Sequence, residues 1–267
     1  LPAGPVPAGA VPAGHSTGAV RIPAHPVAQA FLRASDVPVA APSANRSGRP
    51  SPTSAPMAYR DLAGRVDLIL DGGPCGHGLE STVVSIASDR AHEAVAGGVT
   101  ILREGAVTRE MIRELLGPEV TIRGGRPDLP GASPGTRHAH YQPAAQVELF
   151  EMPGNTADPQ DGGSSHATSA ALERRIGELP LTARTTLVLY SAAAREMIAR
   201  RGGGEHALWR VLEISDPEDY GRRLYSILVS ADERGDERVF AELPPARGIG
   251  RAVRDRLSRA AGRDTGS

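Results

Sequence analysis

The sequence predicts an α/β fold in two units: an α/β domain over residues 1–122, a linker over 123–145, and a small open α/β domain with mostly parallel strands over 146–267. Three observations predict it. From residue 146 onward, short aliphatic runs alternate with amphipathic stretches, the pattern of strand–helix units that build a parallel sheet. The chain is 40% hydrophobic but only 3% aromatic, so its core must come from Ala, Val, Leu and Ile, which suits sheets covered by helices. Residues 123–143 hold Gly, Pro, Ser and His with few core-forming side chains, and about twenty such residues are long for a connection inside one compact domain.

The elements follow in order. Residues 1–18 are rich in Pro, Ala and Gly and read as irregular surface chain. Residues 19–22 have the composition of a short strand. Residues 25–34 read as a helix, with Pro26 in the first turn and Val27, Ala30, Phe31 and Ala34 on one face. A strand over 37–41 runs into a polar loop over 42–53. Further strands are expected at 66–70, 81–87 and 99–102. Thr108 caps a helix that stops at Gly117, with Glu110 well placed in its first turn.

In the second unit, strands are expected at 146–150, 185–190, 207–214 and 237–243. Helices are expected at 169–179, 192–201, 216–234 and 250–261. Asp216 followed by Pro217 is a helix start signal for the longest of these.

Composition limits the chemistry. All 30 basic residues are Arg, which excludes a P-loop lysine, a Schiff-base lysine and a Ser–Lys dyad within this sequence. The single Cys75 excludes an intramolecular disulfide and a Cys-rich zinc site, and fits a reducing, cytoplasmic setting. No apolar run approaches the roughly 18 residues that span a membrane. Net charge is −1, which gives no overall signal for nucleic acid.

Several local motifs compete. Gly14-His15-Ser16-Thr17-Gly18 matches G-x-S-x-G, but coil-like chain precedes it where a nucleophile elbow needs a strand, so a Gly-rich turn is the better reading. His138 and His140 have no obvious third metal ligand, and a solvated loop is favoured there. The loop Pro42-Ser43-Ala44-Asn45-Arg46-Ser47-Gly48-Arg49-Pro50-Ser51 carries hydroxyls, an amide and two Arg after a strand, the groups that hold phosphate and nucleoside. Glu80-Ser81-Thr82-Val83-Val84 opens one strand, and Ile101-Leu102-Arg103 closes another with an Arg at its carboxyl end, where open sheets bind ligands.

Pro42-Ser43-Ala44-Asn45-x-Ser47-Gly48, Asp71-Gly72-Gly73, Glu80-Ser81-Thr82-Val83-Val84, Ile101-Leu102-Arg103 and Ser133-Pro134-Gly135…His140-Tyr141-x-Pro143 occur in this order. Each is weak alone. The ordered set covers nearly the whole chain and resembles the Sua5/YrdC family of threonylcarbamoyl-AMP synthases. The second unit, with Tyr225-Ser226 and the closing helix, is similar to the extension of the two-domain Sua5 type.

The resemblance implies a YrdC-like twisted-sheet domain followed by a Rossmann-like open α/β Sua5 domain. It implies formation of threonylcarbamoyl-AMP and pyrophosphate from L-threonine, bicarbonate and ATP, with Mg²⁺ accompanying the nucleotide, for N6-threonylcarbamoyladenosine at position 37 of tRNA. By motif position it implies threonine contacts from Arg21, Ala41 (through backbone only) and Ser81. It implies ATP contacts from Thr17, Ser43, Asn45, Ser51, Arg103 and Tyr141, the last folding over the nucleotide as part of a lid. No metal site made of protein ligands is expected. A contact with tRNA or double-stranded RNA, and hand-over to a downstream tRNA threonylcarbamoyl-transfer complex, are further implications.

The sequence also departs from the family. The family's Pro-Thr-x-Thr and Lys-x-Arg motifs do not occur. The chain is therefore expected to lack the family's amino-terminal part, to leave a sheet edge unpaired in its first domain and to be inactive alone, the parent protein being the enzyme. The stretch between Ala87 and Val99 is longer than the resemblance leads one to expect. Competing readings are an RNA-binding module and a carbamoyl-adenylate-forming domain of the hydrogenase-maturation type.

Overall fold

A computed structural model of the protein describes residues 19–86, 98–124, 143–152, 174, 184–200 and 208–262. In the first domain these form α1 (Pro26–Ser35), α2 (Ala55–Leu62), β1 (Val83–Ile86), β2 (Val99–Arg103), α3 (Arg109–Leu116) and β3 (Ile122–Gly124). The three strands make one sheet in the order β1–β2–β3. β1 runs antiparallel to β2, and β3 runs parallel to it.

The α1 and α3 expectations match the structure. Thr108 caps α3 through its side chain, which accepts from Met111 N at 3.3 Å. Three expected strands, 19–22, 37–41 and 66–70, are not strands. None of them has a ladder partner among the described residues, and a strand is stable only when paired. Their apolar side chains face outward instead, with Ile22 at 87% and Leu68 at 73% exposure. Helix α2 and strand β3 were not anticipated. The small core of this domain is Val99, Ile101, Ile112 and Ile122, on β2, α3 and β3.

The second domain contains β4 (Gln146–Phe150), β5 (Thr185–Leu189), α4 (Ala192–Arg200), β6 (Trp209–Glu213), α5 (Pro217–Arg234), β7 (Arg238–Glu242) and α6 (Gly250–Ala260). Its sheet runs β4–β7–β5–β6, and every pairing is parallel. The expected helix over 169–179 lies outside the described residues.

Alternation along the strands creates two cores. Val147, Leu149, Val188, Val239 and Ala241 point to one face, where α5 and α6 lay down Leu224, Leu228, Val253 and Leu257. Phe150, Leu187, Leu189 and Phe240 point to the other, against Ala194, Met197 and Ile198 of α4. A parallel sheet needs this cover on both sides. Asp216 starts α5 by accepting from Asp219 N at 2.6 Å, with Pro217 in the first turn.

No helix among the described residues is long and apolar enough to cross a membrane.

Candidate active site

The site lies where the polar ends of β1 and β2 meet the loop before α2. Arg103, the last residue of β2, reaches across to the chain entering β1. Its Nε and Nη2 donate to the Ser81 carbonyl at 3.1 and 2.8 Å, and Nη2 also meets Ser81 Oγ at 3.3 Å. Two parallel donors on one carbonyl fix the plane of the guanidinium. The antiparallel register aligns Val83 with Arg103, so the two motifs meet because the strands pair.

Glu80 sits beside Ser81 and gathers three donors. Ser51 Oγ donates to Oε1 at 3.3 Å, Tyr225 Oη donates to Oε1 at 2.8 Å, and Arg256 Nε donates to Oε2 at 3.0 Å. Tyr225 is on α5 and Arg256 on α6, so this carboxylate joins the two domains. The side chains of Arg256 and Glu80 are 2% and 15% exposed.

The electrostatics follow from that burial. Desolvation alone would raise the Glu80 pKa, but the charge of Arg256 and the hydrogen bonds from Tyr225 and Arg256 outweigh it and hold the carboxyl at about 2. Burial pushes the Tyr225 phenol up, and the neighbouring Glu80 charge adds to that. Burial, followed by the charge of Arg256, lowers the pKa of Arg103, with a smaller contribution from Arg21. A guanidinium remains protonated through such a shift. The charge of Glu80 acts on Arg103 in the opposite direction, so the guanidinium sits in the opposing fields of the Arg256 cation and the Glu80 carboxylate.

The loop over 42–53 is ordered from within. Asn45 Nδ2 donates to the carbonyls of Arg46 and Arg49 at 3.0 and 2.8 Å, closing the loop on itself. The Arg46 amide donates to Asp61 of α2 at 3.3 Å. The Thr53 carbonyl accepts from the Cys75 amide at 2.8 Å, tying the loop to the segment that leads into Glu80.

Ser51, Ser81 and Arg103 therefore come together, and Arg21 is close enough for its charge to act on Arg103. Ala41 and Ser43 are exposed, and Asn45 is half-buried and turned to its own loop. Thr17 and Tyr141 lie outside the described residues, as do His138, His140 and the G-x-S-x-G turn residues His15 to Thr17. The described residues bring no three His, Cys, Asp or Glu side chains together as a metal-binding group.

Glu80, Tyr225 and Arg256 were not singled out as site residues from the sequence. A signal was present for Arg256: it interrupts the apolar stripe Ala252, Val253, Leu257 and Ala260 of α6, and a charge on such a stripe needs a buried partner.

An arginine at a strand end thus stands beside a hydroxyl-bearing loop, carried by an α/β chain with two sheets. Comparison with known proteins is specific. Residues 3–105 match the Sua5, YciO and YrdC family described as "Telomere recombination", and residues 107–262 match the family "Threonylcarbamoyl-AMP synthase, C-terminal domain". The chain belongs to the Sua5/YrdC family, in its two-domain Sua5 type.

It is 36% identical over 256 residues to the threonylcarbamoyl-AMP synthase of Bacillus subtilis, covering 93% of this chain and 64% of that one. It is 30% identical over 266 residues to the threonylcarbamoyl-AMP synthase of Pyrococcus abyssi, covering 98% of this chain and 69% of that one. The crystal structure of Pyrococcus abyssi Sua5 complexed with L-threonine superposes with a TM-score of 0.66 at 30% identity, over 93% of this chain and 65% of that one. The chain thus spans a little under two-thirds of the Bacillus relative. The match over the second domain favours the synthase type over a hydrogenase-maturation domain or an RNA-binding module.

Proposed function

We propose that this chain carries the site of an L-threonylcarbamoyladenylate synthase, which joins L-threonine, bicarbonate and ATP into threonylcarbamoyl-AMP with release of pyrophosphate. The observation that carries this reading is the union of Arg103 with Ser81 beside Ser51 and Glu80, in a chain whose two halves match the synthase families.

In this reading the site is on residues 1–122, residues 123–145 form a lid, and residues 146–267 form the Sua5 domain. Arg21 and Ser81 hold threonine, with Ala41 contributing backbone, so that its amine captures CO₂ released from bicarbonate, forming the carbamate with loss of water. The resulting carbamate attacks the α-phosphorus, the bond to the β,γ-diphosphate breaks, and pyrophosphate leaves. Thr17, Ser43, Asn45, Ser51, Arg103 and Tyr141 contact the nucleotide. The protein's contribution is orientation and charge: cationic guanidinium groups near the reacting phosphate offset negative charge in the transition state.

Mg²⁺ in such a reaction is held mainly by the phosphates and water. The product serves N6-threonylcarbamoyladenosine formation at position 37 of tRNA through a separate transfer complex, and a cytoplasmic location goes with these partners. A direct tRNA or double-stranded RNA contact would appear as salt-dependent binding.

The test is pyrophosphate release from ATP, measured on this chain and on a protein extended to the length of the Bacillus relative. Release that requires both threonine and bicarbonate supports the proposal. Folded proteins that give none in either form would overturn it.

A further inference from the structure

Glu80 is a largely buried anion, its side chain 15% exposed, and two of its partners come from the other domain. Its neighbour Ser81 is the residue on which Arg103 rests. Anything that fixes Glu80 therefore fixes the carbonyl and hydroxyl that orient Arg103. Four observations show how tightly the segment is held.

First, Tyr225 and Arg256 each donate to a different oxygen of Glu80, at 2.8 and 3.0 Å, so the carboxylate can neither rotate nor withdraw without losing one of them. Second, Arg256 is itself held: Nη1 donates to Asp255 at 2.7 Å, and Asp255 is gripped in turn by Arg259 at 3.1 Å. Third, the turn before Glu80 lies directly on α5. A Cβ on Gly78 would come within 2.5 Å of Arg222 Cα and the Gly221 carbonyl, so only glycine permits this approach. Leu79 then packs onto the core between the sheet and α5 and α6. Fourth, Gly105 also lies against the segment, because a Cβ there would collide with the Glu80 carbonyl and the Thr82 amide.

Residues 78–82 are thus in close contact with both Gly105 and α5, with a charged pin through Glu80. We infer that Tyr225 and Arg256, on the second domain, are positioning residues for the site on the first, acting through Glu80 to set Ser81 and Arg103. This rests on the synthase reading for the identity of the substrate, though not for the existence of the pin. It gives the second domain a part in catalysis without any contact between its side chains and substrate.

The experiment combines kinetics with hydrogen exchange on Tyr225→Phe, Glu80→Gln and the double variant, in the protein form that turns over. Tyr225→Phe removes one hydroxyl from a packed ring. It should raise the threonine KM about tenfold, the size expected for losing one hydrogen bond to a charged group, with kcat changed far less. Amides of residues 79–83 should exchange about tenfold faster, while those of β4, β5 and β7 keep their rates.

Glu80→Gln should act in the same direction. The double variant should add less than about a twofold further effect, because both changes act through one carboxylate. A general loss of stability would instead speed exchange throughout and multiply in the double variant. Unchanged KM and unchanged exchange at 79–83, or independent effects that multiply, would overturn the inference. If no protein form releases threonine-dependent pyrophosphate, the synthase reading fails, and the exchange comparison alone still decides whether the pin orders the segment.

Discussion

In the second domain all five residues of β5 are buried and both faces of the sheet are covered, whereas in the first domain α1 buries no residue and β1 leaves Ile86 75% exposed at the sheet edge. One domain closes its own core. The other has a small core on β2, α3 and β3, and its site segment draws part of its order from its neighbour. Burial on two faces makes a parallel sheet self-sufficient. The polar strand ends of the first domain are not packed that way and are held by a few directional contacts instead.

That contrast can be broken at its strong end first. Phe240→Ala, in the fully covered core, should cost about 3–5 kcal/mol in urea unfolding. The same truncation at Leu68 of the first domain, which is largely exposed, should stay within about 0.5 kcal/mol. Equal losses at the two positions would erase the distinction between the domains.

Next in size is the pin. Arg256→Met leaves the Glu80 carboxylate without its cation and should cost about 3 kcal/mol by the same measurement. A loss under about 0.5 kcal/mol would mean that the pair is no better than a surface ion pair.

The pin also has a pH signature. Glu80 is depressed from 4.5 to about 2 in the folded protein, so the folded state binds that proton less readily than the unfolded chain does. Its stabilising contribution is complete above about pH 4.5 and is lost as pH falls through about 2. Acid titration of stability should show this loss in the parent and a flatter curve in Glu80→Gln. Parallel curves would contradict it.

The smallest effect is local to the second domain. Asp216→Ala removes the side chain that accepts from the Asp219 amide and should cost about 1 kcal/mol, read by denaturant midpoint.

The same contrast governs what the sequence disclosed. The second domain was legible because its strands and helices carry their own periodicity and stop signals: Asp216-Pro217 starts α5, and α6 ends at Ala260 close to the expected 261. The expected strands at 19–22, 37–41 and 66–70 have the right composition but no paired neighbour among the described residues, and pairing is not a property of a single segment.

The site was legible in parts. Ser51, Ser81 and Arg103 stood in recognisable motifs, and pairing of β1 with β2 brings two of them together. Glu80's partners were not legible, because Tyr225 and Arg256 lie 145 and 176 residues away. Only the misfit of an Arg on an apolar stripe hinted that something buried awaited it.

The most direct test of the central claim is calorimetric titration of L-threonine, in the presence of ATP and Mg²⁺, into the parent protein and into Ser81→Ala. A site at the β1–β2 strand ends predicts saturable binding to the parent that weakens about tenfold when the Ser81 hydroxyl is removed. Threonine binding of unchanged affinity in Ser81→Ala, or no threonine binding to the folded parent, would contradict it.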